Sequence, residues 1–228
     1  MDAMQAETVW VSPTGEIVAN GTANAIEAYL ARPLQRQRVG SVVVIHHMPG
    51  YDEPTREITR GFAARGFAAI CPNLYTREAS GKSPEETFAI AMAQSGAPDD
   101  QLVHDVNRCA LLLRGLSGGN DKVGVIGFCS GGRQALMAAC EIPFDAAIDC
   151  YGSFVVTAPA AETKLQIKPI IGRAADLSCP LLGIFGADDQ FPSPTEVAET
   201  ERLLVAAGKT VEFHSFDGAG HEIGRAHV

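Results

Sequence analysis

Short apolar runs alternate with helix-period segments from residue 42 to residue 216, and this alternation constrains the chain more than any other feature. Val42-Val43-Val44-Ile45 is continuously apolar and β-branched, as expected for a strand buried on both faces. Residues 54–65 carry Ile58, Phe62, and Ala63 or Arg65 at helical spacing and stop at Gly66. A strand is expected over 67–71, ended by Pro72. Ser83-Pro84-Glu85-Glu86 is a helix start: a capping residue, a proline in the first turn, then acids near the positive end of the helix dipole. A second helix is expected over 99–116. Strands at 122–127, 145–151, 180–186 and 210–216 and helices at 131–141 and 195–207 complete the series. Such a series predicts an α/β architecture, with a mostly parallel sheet covered by helices on both faces.

The opening segment reads differently. Two short alternating runs around Pro13-Thr14-Gly15 predict an antiparallel hairpin leading into the sheet. Residues 152–178 carry the weakest pattern and are expected to be a loop or short-helix excursion. With no internal repeat or low-complexity linker, one domain is expected over 1–228.

Composition narrows the function. The chain has 18 Lys+Arg against 27 Asp+Glu, a formal net charge of -9, which disfavours nucleic acid and anionic membranes as partners. The basic cluster Arg32, Arg36 and Arg38 is expected to be a solvated turn. Cysteines at 71, 109, 129, 140, 150 and 179 form no Cys-x-x-Cys pair, so neither a disulfide framework nor a zinc site is expected. The first residues, MDAMQAETVW, show no basic and apolar leader, and no apolar run is long enough to span a bilayer, so a cytoplasmic location is expected. His46, His47, Asp52 and Glu53 could be imagined as metal ligands. Adjacent strand residues point to opposite faces, however, and no metal is expected there.

The sharpest local signal is Gly127-Phe128-Cys129-Ser130-Gly131-Gly132, between an expected strand and an expected helix. A nucleophile flanked by glycines at a tight strand-to-helix turn is raised above the sheet at a helix N-terminus. There the dipole favours a thiolate, and the N–H of Ser130 can face a developing oxyanion. Cys129 is the expected nucleophile; Ser130 sits off the central position. Downstream, Asp188 and Asp189 follow the strand 180–186, and His221 lies on the glycine loop Gly218-Ala219-Gly220-His221. Nucleophile, acid and base thus occur in the chain order of an α/β-hydrolase triad. His214 lies inside a strand and His227 one residue from the end, which leaves His221 as the base. The residues alone leave Asp188 and Asp189 both open as the acid.

Together GFCSGG (127–132), GADDQFPSP (186–194) and GAGH (218–221), with HHMPG (46–50) and CPNLYTR (71–77), resemble the dienelactone hydrolase family of α/β-hydrolases. The resemblance covers about residues 7 to 221. It implies the α/β-hydrolase fold and a triad of Cys129, Asp189 and His221, because the family's acid falls three residues after the glycine matching Gly186. It further implies an oxyanion hole from the N–H groups of Met48 and Ser130, and Arg77 as a candidate to grip a substrate carboxylate. No metal or organic cofactor is implied. His47 stands where family members that act on dienelactone carry a glutamate, which alters the charge balance of the site. His47 could serve as a second base or pair with Cys129, and the implied activity is that of a broader ester, lactone or thioester hydrolase. A small-molecule substrate and a monomer or small homo-oligomer are expected. The alternatives are a catalytically impaired binding or sensor protein on the same fold, and an acyltransferase using the same acyl-cysteine.

Family members continue past the histidine through a closing helix, whereas seven residues, 222–228, follow His221 here. Those seven match the translation of a common sequencing adapter and are expected not to be native. Arg225 matches a substrate-binding arginine in position only, and on this expectation the match is accidental.

Overall fold

The computed structural model describes residues 4–34, 40–48 and 50–221. Arg36, Arg38 and residues 222–228 therefore lie outside the described residues. Contacts within the chain cluster into two compact units, Met1–Val125 and Ile126–Val228.

The first unit opens with β1 (Met4–Val11), β2 (Ile17–Val18) and β3 (Ile26–Pro33). β1 pairs antiparallel with both neighbours, Val11 facing Ile17 on one side and Ile26 on the other. The expected hairpin is thus present, and β3 extends it to three strands. Its turn depends on Gly15, at φ 81°, where an added Cβ would stand 2.7 Å from Leu111 Cβ.

β4 (Ser41–Ile45) and β5 (Ala68–Pro72) follow as a parallel pair, and the strand order of this unit is β2-β1-β3-β5-β4-β6. β6 (Val123–Phe128) crosses the division between the units. All five residues of β5 are buried. The helix α1 (Glu53–Ala63) packs on β3 and β5, and α3 (Asp99–Gly115) packs on β4 and β5. A β-branched, alanine-rich pair of strands suits such double-sided cover.

Side chains fix the helix starts. Asp52 accepts the Thr55 N–H at 2.9 Å ahead of α1. Before α2 (Pro84–Gln94), Ser83 and Glu86 form a reciprocal capping box.

In the second unit the strand order is β6-β7-β8-β9, with β7 at Ala146–Cys150, β8 at Leu181–Gly186 and β9 at Val211–Phe216. The β7–β8 and β8–β9 pairs are parallel. Its helices are α4 (Ser130–Glu141), packed on β7, and α5 (Pro194–Ala206), packed on β9. Ser193 caps α5 by accepting the Glu196 N–H, and Pro194 opens the helix. The core gathers Ala135, Leu136, Ala138, Leu181, Phe185 and Leu204. β9 is the strand expected over 210–216, and none of its residues is buried. Residues 152–178 contain two short 3₁₀ turns, at Ala161–Thr163 and Ile171–Asp176, as the weak pattern predicts.

Candidate active site

Cys129 lies between the end of β6 and the first residue of α4, at φ 56° and ψ -120°. A non-glycine residue with this backbone conformation is strained, and the surrounding contacts show what holds it. Its N–H donates to Cys150 O at 3.0 Å. A Cβ on Gly127 would stand 1.8 Å from Gly131 O, so the elbow closes only around a glycine there. Gly132 is similarly confined: a Cβ would lie 2.2 Å from Asp149 Oδ1 and 2.7 Å from Cys150 O. The glycines thus permit a turn tight enough to put Cys129 at the head of a twelve-residue helix. Ser130 is the first residue of that helix, where N–H groups lack intrahelical acceptors.

The end of β8 supplies the next group. Asp189 is buried, and its Oδ2 lies 2.7 Å from His221 Nδ1. Its other oxygen accepts the Phe191 N–H at 2.9 Å. Asp188, the neighbour left open by sequence, is exposed, and its N–H donates to Ala219 O at 2.9 Å. Gly186 brings the two loops together. A Cβ on it would stand 2.3 Å from both Ala219 O and Gly220 O, so its lack of a side chain lets the 218–221 loop lie against the end of β8.

The Cys129 side chain beside the His221 ring is the main cause that raises the ring pKa to about 9. Burial opposes the rise, while the Asp189 hydrogen bond and the charges of Asp189 and Cys129 reinforce it. The second unit therefore brings together the three residues expected as nucleophile, acid and base.

Sequence reasoning missed four neighbours. Tyr151, at φ 46°, presents its ring edge-on to His221 with centroids 5.0 Å apart. Phe154, at φ 64°, and Phe191 line a cleft of about 510 Å³ together with Cys129, Ser153, Asp188, Asp189, Gln190 and His221. Asp149 is fully buried: Oδ1 accepts the Gly152 N–H at 2.8 Å, and Oδ2 has no partner among the described residues. Burial raises its pKa to about 7 despite that hydrogen bond, with the Glu196 charge adding to the rise. Phe191 follows the Asp188-Asp189 pair closely enough for the motif to have flagged it. Nothing local in the sequence marks Tyr151 or Phe154 for left-handed backbone.

The remaining expected residues lie in the first unit. His47 Nε2 is 3.5 Å from Asp52 Oδ2. His46 is buried and points elsewhere: its Nε2 accepts the Leu74 N–H at 3.2 Å, and its Nδ1 lies 2.8 Å from His47 O. Burial lowers its pKa to about 4. Among the described residues, no group of three or more His, Cys, Asp and Glu could hold a metal ion. Met48 follows β4 by three residues. Arg77 forms a bidentate pair with the fully buried Asp105, at 2.7 and 2.9 Å, and Asp105 also lies 3.4 Å from Arg108. No helix among the described residues is long and apolar enough to cross a membrane.

A mostly parallel sheet with flanking helices, an elbow at the head of α4, and acid and histidine loops after β8 and β9 define an α/β-hydrolase fold. The family model for the "Dienelactone hydrolase family" matches residues 26–224. The chain belongs to this family and is a hydrolase of the ester and lactone class. Similar curated proteins include two named "Putative carboxymethylenebutenolidase". That of Escherichia coli K12 is 32% identical, over 95% of this chain and 81% of its own length. That of Methylorubrum extorquens is 29% identical, over 91% and 71%. A crystal structure from Klebsiella pneumoniae, called "Putative Dienelactone Hydrolase", matches with a TM-score of 0.80 at 28% identity, covering 97% of this chain and 88% of that one.

Proposed function

We propose that the chain hydrolyses small carboxylic esters or lactones by nucleophilic catalysis, with Cys129 as nucleophile, His221 as acid and base, and Asp189 as the group that orients the ring. The observation that carries this reading is the His221 ring held 2.7 Å from Asp189 Oδ2 in the cleft that Cys129 also lines.

The raised His221 pKa supports a starting state in which the ring is cationic beside the sulfur at neutral pH. The sulfur attacks the substrate carbonyl and forms a C–S bond. The tetrahedral oxyanion is met by backbone N–H groups, of which Ser130 supplies one, and each donor contributes about 3 kcal/mol to the transition state. The C–O bond to the leaving alcohol then breaks, and His221 gives that oxygen its proton. The neutral ring next takes a proton from water, which attacks the acyl-cysteine and releases the acid. The thiolate and the cationic ring are thereby restored. Asp189 keeps Nδ1 occupied, so the other ring nitrogen is the one that exchanges protons.

The resemblance assigns Met48 a second oxyanion N–H, Arg77 a substrate carboxylate, and His47 a place as second base or as partner to the sulfur. These roles are proposed on the resemblance alone.

Release of p-nitrophenol from p-nitrophenyl acetate, compared between the chain and a folded Cys129→Ala variant, tests the reading. Turnover that vanishes in the variant supports it. Equal rates in the two proteins would remove Cys129 from the reaction.

A further inference from the structure

The HHMPG segment (46–50) holds a buried histidine that the reaction described above does not use. His46 directly follows β4. The Leu74 N–H donates to its Nε2 at 3.2 Å, so that nitrogen is the acceptor and Nδ1 carries the proton. Nδ1 then donates to His47 O at 2.8 Å. Burial holds the ring pKa down at about 4, so the ring stays neutral and keeps this tautomer near neutral pH. Its neighbours confine it as well. Gly50, at φ 122°, would bring an added Cβ to 3.1 Å from the ring Cε1, and the Tyr75 ring lies 5.4 Å away between centroids.

His47 C=O and Met48 N–H belong to one peptide unit, and that unit is trans. In a planar trans peptide the two groups point in opposite directions. The His46 ring bound to the C=O therefore turns the Met48 N–H away from the ring. Among the described residues no acceptor meets that N–H. A backbone donor that is fixed in direction and left without an internal partner is suited to an external acceptor. We propose that His46 is the positioning residue that aims the Met48 N–H at the substrate oxyanion, by pinning the carbonyl on the opposite side of the same peptide. This inference rests on the oxyanion role proposed above for Met48 and adds the side chain that sets it. Without the His46 bond the peptide plane is free to turn, and the donor is no longer held ready for the charge that develops in the transition state.

The test measures calorimetric binding of 1,1,1-trifluoro-4-phenylbutan-2-one to the intact chain. The Cys129 sulfur adds to its carbonyl carbon with no leaving group, and the carbonyl oxygen becomes an oxyanion held as in turnover. The methyl ketone 4-phenylbutan-2-one serves as the ground-state control. His46→Phe keeps a ring and loses the donor, and His46→Leu takes its place if that variant does not fold. The trifluoro ketone then binds about tenfold or more weakly, and kcat/KM for p-nitrophenyl acetate falls in proportion, while binding of the methyl ketone is unchanged. His46→Asn cannot serve Leu74 as Nε2 does, but it keeps a side-chain N–H beside His47 O. It should stay close to the parent in both measurements. Met48→Pro deletes the N–H itself and should weaken the trifluoro ketone at least as much as His46→Phe.

Parental binding and turnover in His46→Phe, equal losses in His46→Phe and His46→Asn, or equal weakening of the two ketones would overturn the role of His46. In those cases a loss in Met48→Pro would leave the Met48 donor standing. A harmless Met48→Pro would overturn the donor and the inference together. Trifluoro ketone binding unchanged in Cys129→Ala would instead overturn the nucleophile assignment.

Discussion

Asp149 lies so close to Gly132 that a Cβ on the glycine would stand 2.2 Å from Asp149 Oδ1. The same oxygen accepts the Gly152 N–H, so one buried carboxyl group sits between the first turn of α4 and the loop that carries Tyr151, Ser153 and Phe154.

The pH dependence of this group follows from its burial. Its folded pKa, about 7, lies above the ordinary value of 3.8, so the folded chain holds a proton that the unfolded chain releases. Stability is therefore lost as pH rises from about 4 to about 7 and levels off above that. Asp149→Asn removes this slope. Its stability relative to the parent should improve by on the order of 3 kcal/mol between pH 4 and pH 8. Urea unfolding at several pH values measures it, and parallel pH profiles would contradict the account.

His221 acts in the same direction over a higher pH range. Its folded pKa, about 9, exceeds the ordinary 6.5, so its contribution to stability is complete below about pH 6.5 and is lost as pH rises through 9. If the cationic ring is the proton donor to the leaving alcohol, kcat/KM falls on the alkaline side of about pH 9. Asp189→Asn should lower kcat by about 10²–10⁴-fold, because the ring loses the partner that fixes its tautomer. A pH–rate profile paired with that variant checks both statements.

Gly186→Ala tests whether loop contact places the histidine. The added methyl would meet Ala219 O and Gly220 O at 2.3 Å, and the 218–221 loop must move away from β8. A displacement near 1 Å is enough to cost about 100-fold in rate. The expected result is a cooperatively folded protein with kcat/KM reduced by at least tenfold. Near-parental activity would show that the loop is held elsewhere.

Arg77 has a structural duty whatever else it does. Asp105 is fully buried and receives two hydrogen bonds from the Arg77 fork, with Arg108 at 3.4 Å. Arg77→Ala leaves that carboxylate with one cationic neighbour and should cost about 2 kcal/mol of stability. Denaturant unfolding at neutral pH gives the value. A change below about 0.5 kcal/mol would mean that Arg108 alone satisfies Asp105.

The strand-and-helix alternation was legible because continuous apolar runs and capping signals report directly on local structure. Val42 to Ile45 became β4, and Ser83-Pro84 opened α2 as expected. The elbow was legible for a similar reason, since Gly127 and Gly132 are demanded by contacts within a few residues or with the next strand. The choice between Asp188 and Asp189 needed the turn geometry: adjacent residues diverge there, one toward His221 and the other toward solvent. Phe154 and Tyr151 were invisible for another reason. Their left-handed backbones are imposed by partners distant in sequence, Ile184 O on Tyr151 N–H and the Ile170 and Glu196 bonds that follow Phe154. Local propensity would place neither residue there. Asp149 reads in sequence as one polar residue in an apolar strand, and its environment belongs to the tertiary fold.

Trapping the acyl-enzyme tests the central claim most directly. In His221→Asn the water step is slowed, so brief incubation with p-nitrophenyl acetate, acid quench and peptide mass spectrometry should find the acetyl group on Cys129. An acetyl group on Ser130, or continued hydrolysis by the chain with no acylated Cys129 at any quench time, would contradict the account.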